Sequence, residues 1–363
     1  MGSDMPKSIR EEGFLKVLEK VAPGTPLRDA INSIVQMRNG GLIVLSDLER
    51  VRQVVHAGFF LNVEFTPQRV VELSKMDRAI VIDEDLKRIY YANAYLVPDP
   101  SIPSDETGTR HLTAEKVAKQ LNVATIAISA ERMGRVTIYY GPIKYVLQDI
   151  SVLSARVNQA LRILEQYRVT YNELSQELMA LELEGRVLPI HVANILQNIV
   201  QILDTEEEIR RLFVELGEER ELMELLLEWL MVGVKEQAEL IVRDFQVNRK
   251  APKTIIEEIR QLPPEELLST EKILEILGYE SSEEMLDRVL PARGYQVLSQ
   301  IPRLPMAVIE DLVATFGTLR AILRATEKDL MEVKGVAEVR ARAIRAGLRK
   351  LRLRFAVPPK AAR

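Results

Sequence analysis

One stretch of the chain constrains the fold most, because its apolar residues repeat with the period of a single long helix. The repeated positions are Ile150, Leu153, Val157, Ala160, Leu164, Tyr167, Tyr171, Leu174, Leu178 and Leu181. Their spacing averages about 3.5 residues, which predicts one continuous helix with an apolar seam. Gly185 is placed to end this helix. The seam serves either a coiled coil between chains or packing within the chain, and we favour the second because helical patterns continue to about Asp244.

The residues before this helix alternate between helical and strand patterns. Helices are predicted over 8–21, 26–37 and 47–56, and a further one opens at Thr66-Pro67. Runs rich in β-forming residues occupy 40–45, 79–82, 88–92, 123–129 and 135–140. We therefore predict a mixed sheet covered by helices, an α/β domain over residues 1–148.

The residues after the long helix are predicted to be all-α. The acidic stretch Thr205–Glu208 has the pattern of a capping box that opens a helix, and Trp229 lies in an apolar run that suggests the core of a bundle. Prolines and lysines over 248–264 suggest a boundary, and short helices separated by turns follow. The predicted fold is multidomain, α/β plus all-α, with a helical spine over 149–290 and a C-terminal domain over 291–363.

Length and composition set limits on the class of protein. A chain of 363 residues is long for one core, so two or three domains are expected. The lack of cysteine excludes disulfides and thiolate metal sites, and three scattered histidines are too few for a histidine-rich metal site. No apolar run approaches the roughly 20 residues that span a bilayer, and the polar N-terminus is no signal peptide. We expect a cytoplasmic protein without a membrane partner.

The charges are distributed unevenly along the chain. Its formal net charge is −4, yet residues 334–363 hold ten Lys and Arg residues against the single acid Glu338. A basic C-terminal segment on an acidic body suggests that this segment meets a polyanion. A solvated basic helix end is the simpler alternative.

The stretch Asp105–Glu115 has the composition of an anion-binding turn. Small residues at 107–109 precede Arg110 and His111, and Thr113 is a predicted N-cap for a helix that reaches Leu121. Backbone N–H groups at such a helix start point toward a bound anion. The alternative is an ordinary loop between a strand and a helix.

Two motifs in this region resemble those of a known family. Together with 73–82 and 90–100, they resemble the nucleotide-binding core of the DisA family of bacterial diadenylate cyclases. The family's Asp-Gly-Ala motif corresponds to Asp77-Arg78-Ala79, and its Arg-His-Arg motif corresponds to Arg110-His111-Leu112. The resemblance implies condensation of two ATP into cyclic di-AMP with release of two pyrophosphates. It also implies Mg²⁺ or Mn²⁺, an octamer in which two sites face each other, and a response to branched DNA.

The resemblance assigns a role to individual residues. Asp77 is expected to bind the metal and help activate the attacking hydroxyl, with Arg110 and His111 as the remaining catalytic residues. The expected nucleotide contacts are Arg78, Ala79, Leu96, Gly108, Thr109, Thr113, Ser129 and Arg132. Taken alone, Leu96 would be assigned to the core, and Ser129 to a strand end.

The chain departs from the family pattern at the site itself. Arg78 replaces a glycine where the backbone approaches ATP, and Leu112 replaces an arginine that would donate to phosphate. Ala130-Glu131 stands where the family carries arginines. Losing one donor to a transition state costs about 3 kcal/mol. The alternative function is therefore a catalytically weak or dead DNA-binding scaffold, or a nucleotide sensor.

The basic C-terminal segment resembles a helix-hairpin-helix, a motif that offers backbone N–H groups to a phosphate. The residues predicted to bind DNA are Lys334, Gly335, Val336, Ala337, Arg340, Arg342 and Arg345. Ala337 takes the place of the usual second glycine of the turn, and residues 301–317 are a candidate partner hairpin. Junction or branched DNA is the expected ligand, which would make the protein nucleoid-associated.

Overall fold

The computed structural model describes residues 7–130, 134–248, 250–280 and 282–355. The chain forms two compact units, Met1–Asn158 with Arg210–Glu224, and Gln159–Ile209 with Leu225–Arg363. A mixed α/β sheet domain is followed by a helical region, as predicted. The division at residues 148 and 290 stays a prediction.

A single sheet organises the first unit. Its strands are β1 (Gly41–Leu45), β2 (Val55–Glu64), β3 (Ala79–Ile82), β4 (Arg88–Leu96), β5 (Ala124–Ile128), β6 (Val136–Tyr140) and β7 (Ile143–Val146). The order across the sheet is β2-β4-β3-β1-β5-β6-β7. β1 and β3 are parallel, and the remaining pairs are antiparallel.

Helices cover both faces of this sheet, because the central strands are apolar on both sides. The helices are α1 (Lys7–Lys20), α2 (Pro26–Gln36), α3 (Leu48–Val51), α4 (Pro67–Leu73) and α5 (Thr109–Leu121). Ile43 of β1 packs in a core with residues of α1, α2 and α4. The next residue, Val44, packs in a second core with residues of α3 and α5. This alternation produces three layers.

The helix predicted over 47–56 is wrong for most of its length. α3 has four residues, and Asp47 caps it by accepting a hydrogen bond from the Arg50 N–H. The chain then enters β2, an exposed strand at the edge of the sheet. Strand β7 was not predicted either, and β4 extends past the predicted end to Leu96.

The helical region begins with the helix that the 3.5-residue period predicts. α6 runs over 35 residues, Ile150–Glu184, and ends before Gly185, which has a φ of +68°. Seam residues such as Leu153, Val157 and Leu164 are buried within the single chain. The prediction of packing within the chain is therefore confirmed for this helix.

Further helices follow to the end of the described chain. They are α7 (Pro189–Leu216), α8 (Glu221–Met231), α9 (Val234–Phe245), α10 (Pro252–Arg260), α11 (Pro264–Leu267), α12 (Thr270–Leu277), α13 (Glu283–Leu286), α14 (Tyr295–Ser299), α15 (Met306–Phe316), α16 (Leu319–Arg324), α17 (Glu327–Met331) and α18 (Glu338–Phe355). A 3-10 turn, Gly217–Arg220, joins α7 to α8. No helix in the described ranges is long and apolar enough to cross a bilayer.

Two predictions within this region are wrong. Thr205 does not open a helix, since it lies inside α7 and its hydroxyl donates to the Gln201 carbonyl. Trp229 is not in a bundle core, because it is 68% exposed on α8. Leu227 and Leu230 supply the buried face of that helix instead.

The five C-terminal helices contribute to one hydrophobic core. Two hairpins, each made of two helices and a turn, contribute to this core, and their turns are 32 residues apart in the sequence. The first turns at Arg303, with a φ of +62°, and the second at Gly335, with a φ of +79°. Gly347 of α18 lies against Ile301, next to the first turn, where an added Cβ would lie 3.0 Å from Ile301 Cγ1.

Candidate nucleotide site

Several of the predicted site residues lie along one edge of the sheet. Strand pairing places Leu42 of β1 opposite Ala79 of β3, and Ala79 opposite Ala94 of β4. On the other side of β1, Gly41 lies opposite Ile128 of β5. The start of β3, the end of β4 and the end of β5 therefore meet at one edge. This arrangement brings Asp77, Arg78, Ala79, Leu96 and Ser129 to that edge.

The start of α5 lies at the same edge. Gly108 is its N-cap in an extended conformation without a side-chain cap, and Leu112 N–H donates to the Gly108 carbonyl. The first N–H groups of a helix have no partner within it, so this start suits an anion. The helix begins four residues earlier than predicted, so Thr113 is not the N-cap. Its hydroxyl instead donates to the Thr109 carbonyl.

Arg110 is held against the backbone of Gly40, just before β1. A Cβ atom at Gly40 would lie 2.3 Å from Nη1 of Arg110 and 2.5 Å from its Cζ. The guanidinium therefore fits only because residue 40 lacks a side chain. Sequence reasoning did not identify Gly40, because its contact is made by a residue 70 positions away.

His111 belongs to a chain of hydrogen bonds that was also not predicted. The Tyr139 hydroxyl donates to Glu106 Oε1 at 2.8 Å and lies 3.0 Å from His111 Nδ1. Since the hydroxyl proton is used on Glu106, the hydroxyl accepts a hydrogen bond from Nδ1–H of His111. Lys144, opposite Tyr139 in the β6–β7 pair, forms an ion pair with Glu106.

These contacts shift two pKa values in the chain. Burial raises the pKa of Glu106, but the hydrogen bonds from Lys144 and Tyr139 outweigh it, so the pKa is lowered overall. Burial, followed by the Glu106 carboxylate, raises the pKa of Tyr139. Glu106 is therefore an anion at neutral pH, and Tyr139 keeps its proton.

The loop that leads to α5 is tied to that helix. Lys116 donates to the Pro100 carbonyl at 2.8 Å, and Lys119 donates to the Pro103 carbonyl at 2.9 Å. The Gln120 amide oxygen accepts from the Asp99 N–H at 2.8 Å. α5 thus fixes the course of the loop that carries Glu106.

The remaining predicted residues differ in exposure. Asp77 is exposed in the turn before β3, whereas Ala79 and Leu96 are buried. The Arg78 guanidinium stacks 4.9 Å from the Tyr95 ring centroid. Ser129 N–H donates to the Arg135 carbonyl at 3.0 Å, between β5 and β6. Arg132 and Glu131 lie outside the described residues.

The residues at this edge fit a divalent cation that is held jointly by the protein and by substrate phosphates. In the described ranges, no group of three or more His, Asp or Glu side chains could hold a metal by itself. Mg²⁺ is commonly held by one or two carboxylates together with substrate phosphates. Asp77 can supply such a carboxylate, so the residues present fit a cation that arrives with ATP.

At the C-terminal hairpin, the predicted DNA-binding residues differ in what they can offer. Lys334, Gly335 and Ala337 are exposed, whereas the Val336 side chain is buried. The Val336 N–H donates to the Val333 carbonyl, so it is not directed outward. The arginines have contacts within the chain: Arg340 with the Gly335 carbonyl, Arg342 with Glu338 and Glu327, and Arg345 with Glu327.

The fold and this edge define a mixed-sheet α/β protein with an open helix start, joined to a helical region. Residues 28–143 match the family model described as DisA bacterial checkpoint controller nucleotide-binding. Residues 147–286 match the model described as DisA bacterial checkpoint controller linker region. The chain belongs to the DisA family. Membership supports a diadenylate cyclase with ATP as its substrate.

Curated relatives match over almost their full length, and each is called DNA integrity scanning protein DisA. The protein from Carboxydothermus hydrogenoformans is 44% identical over 346 residues, 95% of this chain and 98% of the relative. That from Symbiobacterium thermophilum is 45% identical over 347 residues, 95% of this chain and 97% of the relative. That from Acetivibrio thermocellus is 42% identical over 343 residues, 94% of this chain and 95% of the relative.

Proposed function

We propose that the chain condenses two ATP molecules into cyclic di-AMP and two pyrophosphates, and that branched DNA modulates this activity. The convergence of the open α5 start with the Asp77 turn at one sheet edge carries the proposal. Anion-binding N–H groups and a carboxylate are the two elements that phosphoryl chemistry of this kind requires.

Each group at this edge has a distinct task in the proposed reaction. The 3′-hydroxyl of each ATP attacks the α-phosphate of the other, so that two new O–P bonds form, two pyrophosphates leave and the two hydroxyl protons pass to the solvent. Asp77 orients the attacking hydroxyl and holds the Mg²⁺ or Mn²⁺, which neutralises phosphate charge when bound. The α5 N–H groups and Arg110 stabilise negative charge on the phosphate oxygens. Tyr139 and Glu106 fix the orientation of His111.

Product analysis tests the proposal. The full chain is incubated with ATP and Mg²⁺ or Mn²⁺, and cyclic di-AMP is separated by chromatography. We expect Asp77→Asn to lower turnover about a hundredfold or more, because the carboxylate is lost where the hydroxyl is activated. Asp85→Asn is the matched control, since Asp85 is an exposed acid paired with Lys87 in the turn after β3. Equal losses in both variants would contradict the assignment.

A catalytically weak or dead scaffold, or a nucleotide sensor, is the second candidate. Arg78 is stacked on Tyr95, and Leu112 brings no phosphate donor to the first turn of α5. This candidate predicts no product from the parent chain and product from an Arg78→Gly, Leu112→Arg variant. Calorimetry with ATP and with cyclic di-AMP identifies a sensor that binds without turnover.

We propose further that the hairpin around Gly335 binds branched or junction DNA. Its exposed turn and the start of α18, an 18-residue helix rich in arginine, support contact with phosphates. Several of these arginines form ion pairs with acids of the chain, so a phosphate must compete with Glu327 and Glu338. A nucleoid-associated location follows from this binding.

Charge reversal tests the DNA proposal better than truncation. Deleting residues after Ala325 would remove seven of the nineteen buried residues of the core that the two hairpins share, so the remaining helices would lose packing partners. Lys334→Glu changes an exposed side chain and leaves that core intact. We expect weaker junction binding and a smaller dependence of affinity on salt. Lys272→Glu, an exposed lysine on α12, is the control, and equal weakening there would argue against the hairpin.

We also propose a homo-oligomer, an octamer by analogy with the family, because two ATP sites must face each other. Exposed Phe59, Phe60 and Tyr95 on β2 and β4 support association, since β2 is a long edge strand with unpaired backbone groups. Light scattering of the purified chain measures the number of subunits.

A further inference from the structure

A cleft lies within the helical unit. Its volume is about 1060 Å³, and its walls come from the ends of α6 and α9, from residues 278–280, 282, 284–285 and 288–293, and from the start of α16. Among the described residues, none of those proposed to bind ATP or DNA lines it.

Asp244 of α9 is one of two buried carboxylates at this cleft. It is 1% exposed and accepts hydrogen bonds from the N–H groups of Gly294, Tyr295 and Gln296, at the start of α14. Burial raises its pKa to about 6, against the lowering by these three donors. Asp244 is therefore ionised at neutral pH and satisfied by the chain itself.

Glu182 of α6 is the second buried carboxylate. Unlike Asp244, it accepts no hydrogen bond from any described residue. It is 3% exposed, and neither carboxylate oxygen has a hydrogen-bond partner among the described residues. Burial, followed by the negative charge of Asp244, raises the pKa of Glu182 well above its ordinary value. Oε1 of Gln246, also at the cleft, is buried without a donor in the same part of the chain. Oε1 of Gln246 is an acceptor, and both oxygens of Glu182 are acceptors once that residue is ionised.

Buried acceptors without donors are rare in folded proteins because they lose their hydrogen bonds to water without replacement. An anion would be repelled by the ionised Asp244 carboxylate. Arg293 does not satisfy Glu182, since its guanidinium donates to the carbonyls of Arg243 and Gln246. No third His, Asp or Glu joins Glu182 and Asp244 to form a metal site in the described residues.

We propose that this cleft binds an aliphatic amine or guanidine, whose N–H groups donate to Glu182 and Gln246. A cationic head group with several N–H donors would donate to the open acceptors and offset the charge of ionised Glu182. The cleft is much larger than an ammonium ion, and Val289 and Leu290 in its wall offer contact to an aliphatic body. Binding of the cation favours ionised Glu182, so Glu182 releases its proton to the solvent.

Other charged and titratable groups also face this cleft, and their titration contributes to any pH dependence. They are Tyr279, Glu280, Glu284, Arg288, Arg293 and Arg320. Two carboxylates and three guanidinium groups are among them, and Glu280, Glu284, Arg288 and Arg320 are exposed. Asp244, with a pKa of about 6, titrates at the acid end of the neutral range, so the linkage between binding and pH above about pH 7 is expected to come from Glu182.

Calorimetry of the full chain with agmatine, in two buffers of different ionisation enthalpy between pH 7 and pH 8, tests the proposal. We expect one saturable site per chain, release of up to one proton, and affinity that rises by at most about tenfold per pH unit. Glu182→Gln should weaken binding about 10- to 100-fold and abolish the proton release. Glu177→Gln, an exposed carboxylate on the same helix, should leave both unchanged.

Thermal unfolding of Glu182→Gln establishes that the variant folds, which we expect because glutamine has a similar shape and carries no charge. The proposal is overturned if agmatine produces no saturable heat, or if the folded glutamine variant binds it as the parent does. It is also overturned if a crystal grown with agmatine shows water alone at the acceptors.

Discussion

At Gly40, the lack of a side chain decides where a guanidinium lies. We expect Gly40→Ala to displace Arg110, because the new Cβ would lie 2.3 Å from Nη1. The clash meets the mobile end of a side chain, so folding should change by less than about 1 kcal/mol, while cyclase turnover falls about tenfold or more. Steady-state kinetics and thermal unfolding measure the two effects.

The adjacent glycine provides the control for that substitution. A Cβ at Gly41 would lie 3.5 Å from Ile128 and 3.7 Å from Ile34, which is ordinary contact. Gly41→Ala should therefore keep turnover close to that of the parent. A loss in Gly41→Ala as large as in Gly40→Ala would argue against a specific effect on Arg110.

Tyr139 links Glu106 to His111, and its hydroxyl can be removed without changing the ring. We expect Tyr139→Phe to destabilise the chain by about 1–3 kcal/mol, because Glu106 and His111 each lose a buried partner. Turnover should fall about tenfold or more, since Nδ1 of His111 is no longer held. Denaturant unfolding and product formation are measured side by side, with Tyr140→Phe on the opposite sheet face as control. Loss of stability without loss of turnover would show that Tyr139 supports the folded structure but not the reaction.

The sequence pointed to some residues of the proposed site and not to others. Asp77, Arg110 and His111 stand in short motifs, so a resemblance was enough to propose them as site residues. Gly40 and Tyr139 were missed because strand pairing and the packing of α5, rather than proximity in sequence, bring them to the site. The alternation of apolar residues in β6 predicted a strand, but not that Tyr139 would lie opposite Lys144.

At the scale of elements, Gly335 and Gly317 form a matched pair in the C-terminal helices. Both have positive φ values, +79° and +74°, and neither meets another atom closer than 3.5 Å when a Cβ is added. Alanine at either position should cost about 1–2 kcal/mol of backbone strain. Only Gly335→Ala should also weaken junction DNA binding, because it alters the proposed phosphate-binding turn. Equal DNA affinity for both variants would show that this hairpin is not part of the DNA interface.

The contact between α6 and α9 predicts how stability changes with pH. Because the pKa of Glu182 is raised in the folded state, the folded chain binds more protons than the unfolded chain above about pH 4.3. Stability therefore falls as pH rises through this range, by at most about 1.4 kcal/mol per unit and per group. The raised pKa of Asp244 also makes stability fall as pH rises, up to its value of about 6.

We expect Glu182→Gln to flatten this dependence, so that the variant gains stability over the parent as pH rises from 5 to 8. Urea unfolding at several pH values measures the difference. Parallel curves for variant and parent would show that Glu182 is ionised in both the folded and the unfolded state.

The long elements were predicted better than the short ones. α6 was predicted because its period extends over 35 residues, which local exceptions cannot obscure. β2 was missed because it is an exposed edge strand, so it lacks the alternation that burial of one face imposes. The acidic run after Thr205 resembled a helix start, yet Ile202 and Ile209 on either side are buried and continue the helix.

At the scale of the whole molecule, the proposed reaction requires two chains. We expect turnover per chain to fall when the protein is diluted below its assembly constant, because each product needs two facing sites. Product formation is measured over a range of protein concentrations, together with mass from light scattering. Turnover per chain that stays constant while the assembly dissociates would exclude a reaction across two chains.

The exposed position of the single tryptophan gives the protein an intrinsic optical reporter. Trp229 is 68% exposed on α8, so the fluorescence of the isolated chain should have a red-shifted emission and be quenched readily by iodide. Any partner that covers this helix would shift the emission to the blue and shield it from the quencher. Unlabelled protein can thus be observed while it assembles or binds a ligand.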